Sequence, residues 1–133
     1  MSRDYRKLRV FVLADTLVVQ IYHSTKDFPL AERFGLQSQI RRAAVSVASN
    51  IVEGSARRSL AEYLNFLNVA AGSAAEVRYL VDLASRLGFI ENSQCAPLTS
   101  DYTELVSGLQ ALMRSLSKLS HSKSQPGALS PKS

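Results

Sequence analysis

The residues able to do chemistry crowd into one segment, SQIRRAAVSVASNIVEGSARRS, from Ser38 to Ser59. Arg41 and Arg42 open it, Arg57 and Arg58 close it, and Asn50, Glu53 and Gly54 stand just before the second pair. Arginine grips phosphate or carboxylate oxygens through a planar fork of donors. A glutamate in the last turn of a helix opposes the helix dipole and needs a compensating cation. Arg57 and Arg58 therefore have two open uses: an ion pair with Glu53 around the Gly54 turn, or a grip on phosphate. Catalysis by Glu53 would need a partner carboxylate, a histidine base or a nucleophile, and the neighbouring sequence supplies none with a clear role. The rival enzyme class is a small nuclease or hydrolase built on Glu53, Glu76 and an arginine, which would need the carboxylates to converge on Mg²⁺.

Other chemistry finds little material. There is no GxxxxGK phosphate loop and no GxGxxG fingerprint. His23 and His121 lie far apart and Cys95 stands alone, so neither a metal site, nor a cofactor, nor an internal disulfide is expected. No zinc-finger spacing is present, and no helix-turn-helix competes with a bundle. The five tyrosines are dispersed at helical positions and read as core edges.

The elements that must position these residues are helical. The chain has 133 residues, 46% of them apolar and 20% charged, enough for one domain with a real core. Residues 5–24 are predicted as a first helix, with Leu8, Phe11, Ala14 or Asp15, Val18 and Ile21 or Tyr22 in steps of three and four. Val10, Leu13, Leu17 and Val19 widen its apolar face beyond what one neighbour needs. Residues 36–53 are predicted as a second helix on the stripe Leu36, Ile40, Ala44, Val47 and Ile51, with Gly54 as its left-handed C′ residue. Ser46 and Ser49 face either solvent or a partner helix.

Ser59-Leu-Ala-Glu62 reads as a capping box opening a long third helix to about Leu87, closed by Gly88. Gly72 interrupts it at a cost of about 1 kcal/mol relative to alanine, so another helix is expected against the small centre at 70–75. Residues 91–98 are expected to form a loop. A fourth helix is expected from a Thr99 cap to Leu119, striped by Tyr102, Leu105, Leu109, Leu112 and Leu116. The result is an all-α, up-down, left-handed four-helix bundle over residues 1–120, with 121–133 as a disordered tail.

Net charge is +5, and it is uneven: residues 1–66 carry ten basic and six acidic side chains, and residues 67–133 carry six and five. The N-terminus lacks a signal-peptide core, Asp15 interrupts the most apolar run, and no stretch is long enough to span a bilayer. A cytoplasmic chain without a membrane partner is expected.

Several spaced motifs resemble one family. They are Leu8-x-Val-Phe, Ile21-Tyr-x-x-Thr-x-x-Phe28-Pro29 and Glu32-x-Phe-Gly-Leu-x-x-Gln39-Ile-Arg-Arg-Ala43. Next come Ser46-x-x-x-Asn50-Ile-x-Glu-Gly54, Arg58-Ser59, Tyr63-x-x-Phe-Leu-x-x-Ala70 and Gly72-Ser73-x-x-Glu76. Over about residues 8–90 the set resembles the bacterial proteins encoded within intervening sequences of 23S ribosomal RNA genes, also called S23 ribosomal proteins. The fourth helix matches by pattern only, and Phe11 stands where the family commonly carries tryptophan. The resemblance implies a homopentameric barrel of four-helix bundles. The family is also similar to the accessory variability protein of diversity-generating retroelements, which is basic and works with a reverse transcriptase and nucleic acid.

Charge and resemblance together set the functional expectation. It is a non-enzymatic oligomer that binds RNA or DNA without base specificity through arginines, or that serves as a scaffold or accessory subunit for a nucleic-acid-processing protein. Arg57 and Arg58 lead the candidate contacts, extended by Arg3, Arg6, Lys7 and Arg9. Arg41 and Arg42 rank lower because packing or assembly can occupy them. Asn50, Glu53, Gly54, Gly72 and Glu76 are expected to be structural.

Overall fold

Four apolar stripes at helical spacing need four helices to cover them. The computed structural model describes residues 3–124 and carries α1 (Arg9–Thr25), α2 (Leu36–Ser55), α3 (Leu60–Arg86) and α4 (Asn92–Ser124). Contacts run from α1 to α2, α2 to α3, α3 to α4 and α4 back to α1. Arg41 on α2 reaches Thr25 on α1, Ser46 meets Ser73, Arg78 meets Thr103, and a Cβ on Gly108 would meet Val10. Each helix therefore runs against its two neighbours.

The expected stripe of α2 is core and α4 buries the first three residues of its stripe, whereas in α1 the core shifts to Ala14, Leu17 and Ile21, with Leu8, Phe11 and Val18 only half-buried. Ile40, Ala44, Val47 and Ile51 of α2 are fully buried, against Leu67, Ala70, Ala74, Val77 and Val81 of α3. Tyr102, Leu105 and Leu109 close the core from α4, and Ala14, Leu17 and Ile21 from α1. Burying one such leucine contributes roughly 1.5–3 kcal/mol.

Helix ends show where tertiary contact outweighs local signals. Ser59 caps α3 by accepting from the Glu62 amide at 3.0 Å. Gly88, at φ 82°, closes it in a Schellman turn: Phe89 N–H donates to the Ala84 carbonyl and Gly88 N–H to that of Ser85. Ile90 then folds back into the core.

The first helix starts later than residue 5. Tyr5–Lys7 is a 3-10 turn capped by Asp4, and Leu8 is extended before α1 begins at Arg9. The cause is an anchor: Arg3 N–H donates to the Ser55 carbonyl, and Tyr5 packs edge-on against Phe11 at 4.8 Å.

The fourth helix starts earlier than Thr99. Burial of Cys95 and Leu98 pulls the expected loop into a helical turn, and the Glu91 carbonyl accepts from both Gln94 and Cys95. Pro97 sits in the second turn, where the carbonyl that loses its helical donor belongs to Ser93, an exposed residue. Thr99 caps nothing and donates back to the Cys95 carbonyl. Past Leu119 the helix continues to Ser124, so the expected tail begins inside it; residues 125–133 lie outside the described residues.

Two glycine expectations are corrected. Gly54 does not adopt a left-handed conformation; it lies inside α2, and the helix ends one residue later. Its reason is proximity, because a Cβ there would stand 2.8 Å from Phe66 Cβ and 3.1 Å from Tyr63 Cδ1. The small centre at 70–75 does meet α2, through buried Ala70 and Ala74 and the Ser46–Ser73 bond, but Gly72 itself is not the point of approach: it is exposed, and a Cβ would meet nothing within 4 Å.

Candidate nucleic-acid interface

The antiparallel order brings the start of the chain, the α2–α3 corner and the last turns of α4 to one end of the bundle. Arg3 ties the first two together. Its Nη1 donates to the Arg57 carbonyl at 2.8 Å, and its guanidinium lies 4.3 Å from the centre of the Tyr63 ring. Burial pushes the Tyr63 phenol up, and the Arg3 charge partly opposes that shift.

Arg57 pairs with Glu53 at 3.1 Å, one helical turn back, and its guanidinium lies 4.8 Å from the centre of the Phe66 ring. The glutamate that opposes the α2 dipole thus has its compensating cation. The pair is exposed and adds little stability. Arg58 is exposed and makes no side-chain hydrogen bond or ion pair among the described residues. Arg6 is engaged by Asp4 at 3.0 Å, which holds the carboxyl below its usual range and raises the guanidinium. Lys7 and Arg9 line the mouth of a groove of about 830 Å³ between α1 and α4, with Glu104 on its other side. Arg114 and Lys118, exposed near the end of α4, add cations to the same end. Sequence spacing alone did not single them out, because only the α3–α4 register places them level with Leu67 and Tyr63 in the first turns of α3.

Two candidates lie elsewhere. Arg41 is spent at the α1–α2 joint: Nε donates to Thr25 Oγ1 at 2.9 Å, Nη2 to the Tyr22 carbonyl at 3.2 Å, and the guanidinium packs on the Tyr22 ring at 4.4 Å. Its neighbour Arg42 points to solvent, away from the basic end. Asn50 has a packing role, donating to the Ser46 carbonyl at 2.8 Å and to Ser46 Oγ at 3.0 Å, while Ser46 and Ser73 share a hydrogen bond of 2.9 Å across the α2–α3 seam. Ser46 thus faces a partner helix, and Ser49 faces solvent.

The carboxylates of the rival enzyme reading do not converge. Glu53 adjoins the Gly54–Phe66 contact, and Glu76 lies ten residues, about 15 Å, further along α3. No group of His, Cys, Asp and Glu suited to a metal ion occurs among the described residues. No helix among them is long and apolar enough to cross a membrane.

No curated protein matches the chain. Among solved structures it is similar to a protein with unknown function from the S23 ribosomal protein family of Bacteroides thetaiotaomicron. The two are 28% identical with a TM-score of 0.73, over 78% of this chain and 97% of the other. The 23S rRNA-intervening sequence protein family model matches residues 6–111, which takes the likeness through Leu109 of α4, beyond the motif set that ends near residue 90. With the four-helix fold and most of the chain accounted for, the chain belongs to the 23S rRNA-intervening sequence protein family.

Proposed function

We propose that this protein is a non-enzymatic helical-bundle oligomer that holds RNA or DNA by its phosphates at the basic end. The observation that carries the reading is the Arg3–Arg57 link, which gathers cations from the chain start and the α2–α3 corner into one surface. Arg58 stands there without a side-chain partner among the described residues, and Arg6, Lys7 and Arg9 extend the surface. Such contacts position a backbone and carry little base information. The test is a salt series of RNA and DNA binding by wild type and Arg57→Ala/Arg58→Ala at matched oligomeric state. Phosphate binding requires affinity that falls steeply with salt and a shallower slope in the double variant. Absence of binding at low salt sinks the reading and leaves a protein-docking accessory role.

Self-assembly is favoured by a separate observation. The α1–α4 groove is lined by Val10, Val12, Leu13 and Leu112, with Val12 54% exposed. Away from this groove, α3 exposes Val69 and Gly72. The Arg78–Thr103 bond sets the antiparallel register, so Gly72 is level with Leu109, beside Gly108 and Leu112 of the groove. A second copy standing alongside can lay its Val69–Gly72 ridge into this groove. That contact joins two different faces, so repetition closes a ring if the rotation allows. The family resemblance supplies the number five, and five copies would carry a formal charge of about +25 at +5 each. Sedimentation equilibrium showing a stable monomer would exclude the ring.

A further inference from the structure

Arg57 and Arg3 lie over aromatic rings, held by contacts that leave part of each residue open. Tyr63 and Phe66 stand three residues apart on α3, so their rings are neighbours on one helix surface. Each carries a guanidinium, Arg3 at 4.3 Å from the ring centre and Arg57 at 4.8 Å. The Arg57 side chain is 43% exposed, and Glu53 grips it through Nη2. Arg3 is tied through Nη1 to the Arg57 carbonyl. A guanidinium backed by a ring has a second planar face, and a planar face of that kind stacks on nucleobases. Arg58, adjacent and without a side-chain partner among the described residues, can take the phosphate beside such a base.

We infer that the Arg57–Phe66 pair, with Arg3–Tyr63 beside it, is a stacking platform for unpaired bases, so the ligand class at the basic end is single-stranded nucleic acid. This rests on the nucleic-acid reading above and narrows it. In a duplex both base faces are covered by neighbours, so a platform of this kind reaches only splayed or terminal bases. Stacking tolerates any base, which agrees with contacts that carry no base specificity.

The test compares two single strands of equal length and charge, one of twelve adenosines and one in which the central six positions are abasic, by fluorescence anisotropy at fixed salt. The wild type is expected to prefer the base-bearing strand at least about fivefold, the low end of what stacking of one base contributes. Arg57→Lys keeps the charge and removes the planar face, and it should shrink that preference below twofold. A thermal melt and sedimentation confirm that the variant keeps its fold and assembly. Equal wild-type affinity for the two strands overturns the platform while leaving phosphate binding intact. A preference that persists in Arg57→Lys also overturns the assignment to Arg57. Failure of both strands to bind at low salt removes the platform together with the reading it rests on.

Discussion

The α2–α3 seam and the α1–α4 seam join the same number of helices with opposite results. Along α2–α3, small residues let the backbones close: Gly54 lies against Phe66 and Tyr63, Ala44, Ala70 and Ala74 are fully buried, and Ser46 bonds Ser73. Along α1–α4, valines and leucines hold the helices apart over a groove of about 830 Å³, with Gly108 near Val10 as the close approach. Small side chains with a polar clasp make a finished internal seam; larger aliphatics left half-covered make a surface that still has area to bury. Gly54 and Gly108 sample the two situations, one in each seam, and Gly72 samples the exposed face of α3.

The largest effect is expected at the closed seam. Gly54→Val places methyl groups where even a Cβ would stand 2.8 Å from Phe66 Cβ, between two helices with no slack. Overpacking of this kind costs about 1–3 kcal/mol, and the upper end is expected in urea unfolding. An unchanged midpoint would mean that the α2–α3 seam breathes as freely as the other.

Tyr102 offers a probe on the buried side of α4. It is fully buried, and its hydroxyl has no hydrogen-bond partner among the described residues. Burial raises its pKa far above the ordinary 10.0. The unfolded chain releases this proton near pH 10 while the folded chain keeps it, so its contribution is complete below pH 10 and is lost as pH rises above it. Tyr102→Phe is expected to gain about 1 kcal/mol at pH 7, because an unsatisfied buried hydroxyl is costly, and to flatten the alkaline decline in part. Tyr63, also raised by burial, keeps a share of the slope. A loss of stability in Tyr102→Phe would point to a bonded hydroxyl.

Gly72 tests whether the exposed ridge is covered by a second copy. Within one chain a Cβ meets nothing, so Gly72→Ala should add about 1 kcal/mol of helix stability to a dilute monomer. If the ridge seats in a neighbour's groove, the same variant should weaken assembly in a concentration series. A gain at every concentration would leave the ridge free.

The core was legible because periodicity alone places Ile40, Ala44, Val47 and Ile51 on one face, and the structure buries all four. The Ser59 cap and the Gly88 turn were equally local and equally readable. What escaped was set by distant contact. Gly54 looks like a helix terminator until Phe66 is known to lie beside it, and Pro97 looks like a loop residue until Cys95 and Leu98 are seen in the core. The candidate site divides the same way. The Glu53–Arg57 pair was legible at four residues' spacing, whereas Arg3 over Tyr63 joins residues 60 positions apart, and no local pattern announces it.

The smallest effect is expected at Gly108, and it sharpens the contrast most directly. Alanine there should gain up to about 1 kcal/mol in helix propensity. Its Cβ would lie 3.0 Å from Val10 Cγ1, a few tenths of an ångström too close. Whether the neighbour can yield decides the sign. Val10 borders the open groove, is only partly buried, and has room to turn about χ1 or move with α1. The two terms should nearly cancel, leaving a change within about 0.5 kcal/mol, the range of substitutions that break no special feature. Val10→Ala removes the colliding methyl, so Gly108→Ala made in that background should show the propensity gain alone. A loss of about 2 kcal/mol for Gly108→Ala, relieved by Val10→Ala, would instead show that α1 and α4 are locked as firmly as α2 and α3, with the groove a fixed feature of a finished bundle.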